Sequence, residues 1–491
     1  MCSPPRSSMF WNCNGATLHL SLQHGLRSNT IIHRSAELLW LKRWIWLYFW
    51  LLIFEGVLRK WLLPQLSMPL LVVRDPVLLV IYWMAFRSGR VHSPHLLALG
   101  VVSVPLILLA SIQVASGTNS CVIALYGLRS YLLHLPLIVI ISETFTFEDV
   151  KQVGRWLLIL SVPIALLMLA QYRAPVSSWL NAGAGGTPGQ MRSAGDHVRA
   201  AGPFSFATGT TCFFALAEAF LLYALSRPRT YSKWILVPSV AAVIIALPLS
   251  GSRTLLFVTA AVVIWASFAI VRIPGQLPRL AGIIVVFGLG SIAVLWVPAI
   301  HESIGTFQNR WQQASAGEGD VKDVLSLRVL GVIMGGVEAA ETVPWIGKGI
   351  GMGSNVAAYL ETGSQSFLLA EMEWPRVVLE LGPILGLAFM TFRILVCWTL
   401  FVSALRALGR RSSLSWLLVP ATVPFLIINS MEQPTNLGFM VLSAGLCLAA
   451  AKTLRAPQPS RHRTDLVSRR LLATCAPQPC EERSVLVDCE T

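Results

Sequence analysis

The sequence predicts an all-α integral membrane protein with about twelve transmembrane helices and a long outer loop that contains a short helix. Hydrophobic residues make up 55% of the 491 positions and charged residues only 13%. Mean hydropathy is +0.65, whereas a soluble domain carries about a quarter charged residues. Apolar runs close to twenty residues long recur throughout the chain, the length a helix needs to cross a bilayer core. These runs are continuous, unlike the alternating strands of an outer-membrane barrel, and a helix satisfies its own backbone in lipid.

The first segment, residues 1–37, lacks the compact apolar core and small-residue cleavage site of a signal peptide. It reads as a cytoplasmic extension. A polytopic domain follows over 38–453, with spans near 40–58, 68–86, 95–115, 121–142, 156–172, 204–226, 233–250, 253–271, 280–300, 376–404, 414–430 and 434–453. Residues 454–491 mix charge with Pro and Ser and read as a disordered cytoplasmic tail.

Basic residues orient the spans. Arg87 and Arg90, Lys151 and Arg155, Arg227, Arg229 and Lys233, Arg272 and Arg279, and Arg406, Arg410 and Arg411 fall in alternate loops. The intervening links, such as "SGTNS" at 116–120 and the turn around Glu432, carry little positive charge. The positive-inside rule places the basic loops and both termini in the cytoplasm. Two long segments, 173–203 and 301–375, then face outward, the second as the large extracytoplasmic loop. Within it Val329, Val332, Ile333, Val337 and Ala340 form a helical stripe. Arg328, Gly331, Gly335 and Glu338 share the opposite face, Pro344 ends the helix, and "GKGIGMGSN" follows as a glycine-rich turn.

The net charge of +14 is accounted for by these loops, and no nucleic-acid partner is expected. Cys121, Cys212, Cys397 and Cys447 lie in apolar runs as small hydrophobes. No His, Cys, Asp and Glu cluster has metal-ligand spacing, so neither a metal nor a cofactor is expected.

Arginines at one depth mark the candidate site. Arg74 and Arg129 fall in the outer halves of their spans, Arg199 and Arg253 precede or begin spans on the outer side, Arg328 lies on the outer-loop helix, and Arg376 opens a span. An ionisable side chain in a span usually faces protein or water and often marks a pathway. Each also has a structural reading: Arg74 can pair with Asp75 or snorkel, and Arg376 can snorkel beside Trp374. Arg129 has no carboxylate at helical spacing. Arginine's planar fork suits phosphate, and a group at this depth matches what a diphosphate headgroup needs. The turn "LSGSR" places Arg253 behind three small residues, where Gly251 can take a positive φ.

Four ordered segments carry a resemblance. "RAAGPFSFATGTTCFFAL" (199–216), "LSGSRTLLF" (249–257), "RVLGVIMGGVEAAETVPWIGKGIGMGSN" (328–355) and "LELGPILGLAFM" (379–390) resemble successive motifs of the O-antigen ligase and O-antigen polymerase-like membrane proteins. The resemblance covers roughly 199–390. It implies transfer or polymerisation of glycan from a polyprenyl diphosphate carrier at the outer face of the bacterial inner membrane, without metal or nucleotide sugar. The implied partners are the polyprenyl diphosphate-linked saccharide, membrane lipid and other polysaccharide-assembly proteins. Arg199, Arg253 and Arg328 are the implied diphosphate ligands, with Arg74, Arg129 and Arg376 as weaker candidates. Ser364, Gln365 and Ser366 stand where ligases of the family commonly carry a histidine. The general base is therefore open among Glu361, Glu371 and Glu373, and so is the choice between ligase, polymerase and non-catalytic relative. Two other readings compete: a transporter or flippase of lipid-linked oligosaccharide, and a non-enzymatic component of a polysaccharide export complex.

Overall fold

The computed structural model describes residues 36–89, 94–186, 197–227, 229–272, 298–318, 330–363 and 368–452, together with isolated positions between 273 and 297. Helix predominates among the described residues. Among the described residues, eight helices are long and apolar enough to cross a membrane: Pro69–Arg87, Cys121–Thr144, Phe147–Arg173, Ala207–Ser226, Lys233–Ser250, Arg253–Arg272, Glu373–Gly409 and Pro434–Lys452. Exposed side chains support that environment, since Val101, Val104, Leu108 and Ile112 line one outward face of a single helix.

Three more of the expected spans are helical but depart from the full apolar length. Helix α1, residues 36–57, ends in a wider turn at Leu58–Leu62. It carries Lys42 and Arg43 near one end and Glu55 near the other, and Arg59 and Lys60 follow in the wider turn. The region 94–115 is one helix, in which Leu99–Ala115 is an apolar stretch among the described residues, and 414–430 holds a shorter apolar helical region, Leu414–Ile428. The expected span 280–300 lies mostly outside the described residues, as do most of the 1–37 extension and the 454–491 tail.

In chain order the remaining helices are α2 (Asp75–Arg87), α3 (Pro94–Ala115), α4 (Cys121–Leu128), α5 (Pro136–Thr144), α6 (Phe147–Arg173), α7 (Ala207–Ser226), α8 (Lys233–Ser250) and α9 (Arg253–Arg272). They continue with α10 (Pro298–Glu318), α11 (Val332–Thr342), α12 (Asn355–Thr362), α13 (Glu373–Gly409), α14 (Leu414–Leu418), α15 (Val423–Ile428) and α16 (Pro434–Lys452). The centre of the bundle is α7 and α16, nearly all of whose side chains are buried. Small residues permit close packing there: a Cβ at Gly445 would lie 2.8 Å from Ile141.

Helix α13 is bent back on itself. Gly382 breaks it with φ 79° and ψ 171°, ahead of Pro383. Twenty residues of straight helix span about 30 Å, yet Arg393 Nη1 donates to Glu373 Oε1 at 2.5 Å. The chain must therefore reverse at Gly382. A Cβ at Gly382 would meet the Trp345 carbonyl at 2.2 Å, so this turn has room only for glycine.

The 301–375 segment contains α10, α11 and α12. Helix α11 ends at Thr342, just before Pro344, and packs on α13. Its buried face differs from the expected apolar stripe. Val332 and Gly336 are buried, whereas Val337 is exposed. A Cβ at Gly335 would lie 3.2 Å from Pro375, and one at Gly336 3.0 Å from Trp374. Close backbone approach, rather than the larger apolar side chains, selects this face.

Candidate functional site

Buried charge at one end of the bundle falls into two regions. The first lies around the fold-back of α13. Glu373 Oε2 accepts from Arg376 Nε at 3.1 Å and Nη2 at 2.7 Å. Its Oε1 accepts from Arg393 Nη1 at 2.5 Å and the Met431 amide at 3.2 Å. Glu380 Oε1 accepts from Arg376 Nη1 at 2.8 Å and the Gly353 amide at 2.9 Å. Its Oε2 accepts from Tyr131 at 2.6 Å and the Gly351 amide at 3.1 Å. The two glutamates and two arginines balance in charge, and both carboxylates have their acceptor capacity occupied.

This network explains the glycine-rich turn. Its amides bind Glu380, while Gln113 accepts from the Ile350 amide at 2.8 Å and Asn119 donates to the Ile350 carbonyl at 2.8 Å. A Cβ at Gly353 would meet Arg376 Cγ at 2.5 Å, and one at Gly347, where φ is 71°, the Glu380 carbonyl at 2.3 Å. Irregular backbone at membrane depth is tolerated when protein groups satisfy it in this way.

The second region joins α1, α2, α4 and the segment before α7. Glu55 accepts from Arg74 Nε at 2.9 Å and Arg59 Nη1 at 3.5 Å. Arg74 also donates to Tyr48 and to the Pro434 carbonyl. Arg129 binds Asp75 with both Nε and Nη2 and donates to the Leu71 carbonyl at 3.0 Å. The neighbours Arg74 and Asp75 thus take different partners. The carboxylate that Arg129 lacks along its own helix comes from α2.

Arg59 Nε donates to the Ser67 carbonyl at 3.0 Å, and Nη1 reaches Ser205 Oγ at 3.3 Å. No described residue hydrogen-bonds its remaining terminal nitrogen. Lys60 donates to the carbonyls of Gly202 and Phe204 at 3.1 and 3.3 Å. Gln171 brackets Gly202, donating to its carbonyl at 3.1 Å and accepting from its amide at 2.8 Å. These bonds hold the non-helical segment "RAAGPFSF" against the bundle.

A cavity of about 40 Å³ opens beside Arg59, with Tyr126, Asn355, Gln433, Thr435 and Glu432 among its walls. Glu432 is buried in the link before α16. Its Oε1 accepts from the Asn355 amide, the first residue of α12, at 2.7 Å. No described residue hydrogen-bonds the other oxygen. Burial pushes this carboxyl up to about 7, against the lowering effects of the Asn355 amide and Arg376. One wall thus offers an unused guanidinium nitrogen and another an unused carboxyl oxygen.

Of the candidate arginines, Arg74, Arg129 and Arg376 are paired with carboxylates. Arg199 and Arg253 are half-buried, and the same corner joins them: the Ala200 amide donates to the Leu249 carbonyl at 3.3 Å. There Gly251 caps α8 with φ 54°. Ser250 Oγ accepts from the Ser252 amide at 3.2 Å, and Ser252 Oγ from the Leu255 amide at 3.3 Å. The three small residues build a tight helix–helix turn that leaves Arg253 as the first residue of α9. Arg328 and Ser364–Ser366 lie outside the described residues.

Among the candidate bases, Glu361 and Glu371 are exposed, and Glu373 is locked between arginines. Glu432 escaped the sequence reading because its link looks like an ordinary short turn, and its partner Asn355 is 77 residues away. A carboxyl set between two apolar runs was the available signal. Among the described residues no three His, Cys, Asp or Glu side chains gather as a metal site. Searches with this chain match no family model, no curated protein and no solved structure.

Proposed function

We propose that this chain transfers or polymerises glycan from a polyprenyl diphosphate carrier at the outer face of the bacterial inner membrane. Both termini lie in the cytoplasm, and the 301–375 segment faces outward. The carrying observation is the cavity in which Arg59 and Glu432 each keep one polar atom that no described residue hydrogen-bonds. The four-motif resemblance supplies the substrate class, and the shared corner of Arg199 and Arg253 supports their role at one anion.

Glu432 accepts the proton of the acceptor hydroxyl, whose oxygen attacks the anomeric carbon. The bond from that carbon to the diphosphate oxygen breaks, and its electron pair leaves with polyprenyl diphosphate. Arg199, Arg253 and Arg328 stabilise the growing negative charge. A carboxyl held at about 7 suits a base working near neutral pH. The cavity's volume of about 40 Å³ admits a hydroxyl and a few waters, so the saccharide and carrier lie outside it.

The test uses the full chain in liposomes with a polyprenyl-diphosphate oligosaccharide and a saccharide or lipid acceptor, in EDTA. Product should form, and its rate should rise with pH through about 7 as Glu432 ionises. Movement of labelled saccharide across the bilayer without transfer or chain growth would assign the chain to transport instead.

A further inference from the structure

A larger cavity, of about 420 Å³, lies far from the Arg59–Glu432 cavity, along the part of α13 that runs on from Gly382. Its walls are apolar, with Ile138 of α5, Phe392, Val396 and Leu400 of α13, and Leu448 of α16 among them. At the far end of α13 the lining turns basic: Arg406, Arg410 and Lys452. Lys452 donates to Ser142 Oγ at 3.1 Å and lies 3.9 Å from Glu143. Arg406 and Arg410 are exposed and meet no carboxylate among the described residues. Among the described residues, then, the groove ends in two arginines that face no carboxylate, beside helices apolar enough for lipid.

An apolar slot between membrane helices with a basic rim complements a lipid whose headgroup carries phosphate. A neutral headgroup would leave the two arginines without a counter-charge. A free phosphate would leave the apolar walls unfilled. We propose that this groove seats one anionic phospholipid, with an acyl chain along α5, α13 and α16 and its phosphate on Arg406 and Arg410. The site is independent of the Glu432 chemistry, because none of its residues lines the smaller cavity.

The experiment is native mass spectrometry of the full-length protein released from nanodiscs of phosphatidylglycerol and phosphatidylcholine in equal amounts. Two variants are compared with the parent after their melting curves are matched. Arg406→Ala/Arg410→Ala removes the rim charge, and Ser403→Trp, at a residue lining the groove, fills the groove while keeping that charge. The parent should retain phosphatidylglycerol over phosphatidylcholine by about tenfold or more, since each basic group near an anionic headgroup is worth about a factor of five. Both variants should lose that preference. Equal retention of the two lipids by the parent would overturn the proposal. Loss in the charge variant alone would also overturn it, by reducing the effect to surface attraction outside the groove. Displacement of bound phosphatidylglycerol by equimolar polyprenyl phosphate would replace the proposed occupant with a prenyl lipid.

Discussion

The carboxylates of the α13 fold-back and the carboxyl of Glu432 sit at the same end of the bundle but differ in what surrounds them. Glu373 and Glu380 each accept four hydrogen bonds, from Arg376, Arg393, Tyr131 and backbone amides. Glu432 accepts one, from Asn355, and borders a cavity with Arg59. A buried charge whose partners fill its capacity fixes a fold, and breaking such a pair strands the other charge. A buried group with capacity left over beside a cavity is available for chemistry. The depth expected from the sequence does not separate these cases, because Arg74, Arg129 and Arg376 were grouped by it and are occupied by protein partners.

The comparison breaks first if the filled network is dispensable. Glu373→Gln leaves Arg393 without an anion and Arg376 with Glu380 alone, and should destabilise the chain by about 3–5 kcal/mol, read from denaturant unfolding in detergent. An unchanged midpoint would show that the network holds nothing together.

The next effect separates Glu432 by pH. Its native carboxyl lies at about 7 against about 4.3 for an unperturbed glutamate. The folded chain therefore binds the proton more tightly, and the contribution of this group is greatest below the unfolded value. It declines as pH rises from about 4 to 7 and is level above, a change on the order of 3 kcal/mol. The parent minus Glu432→Gln difference in unfolding free energy isolates this slope. A flat difference across that window would remove the buried, strained carboxyl from the account.

A smaller effect concerns the arginine corner. Lysine keeps the charge of Arg253 but not its fork. At matched membrane levels Arg253→Lys should lower glycan output about tenfold, or about 1.4 kcal/mol of transition-state binding. Near-normal output would make Arg253 an interfacial anchor. The smallest effect belongs to Glu218, buried in α7 with Thr259 as its neighbouring polar side chain among the described residues. Glu218→Gln should leave stability within about 1 kcal/mol or raise it, and a loss of several times that would reveal a partner charge.

The helical class was legible because composition and run length report it directly. The turn at Gly251 was legible too, since small residues and a needed positive φ are local properties. What the sequence hid is pairing across the bundle. Arg129 finds Asp75 54 residues away, and Arg393 reaches Glu373 only because the chain reverses at Gly382. The stripe on α11 misled for a related reason. Hydrophobicity marked Val337, but the partner surface, formed by Trp374 and Pro375, needed the glycines to come close. Of the proposed site, Arg199 and Arg253 stood out in the sequence by their place before or at the start of a span, while Arg59 and Glu432 were passed over as charges flanking spans.

The most direct test is a side-by-side measurement of melting temperature and glycan transfer for Glu373→Gln and Glu432→Gln in the liposome assay. Glu373→Gln should melt well below the parent. Glu432→Gln should melt at or above the parent temperature near neutral pH yet lose transfer by about a hundredfold or more, the usual contribution of a positioned base. A Glu432→Gln variant that transfers glycan at the parent rate would contradict the assignment of this cavity as the reacting site.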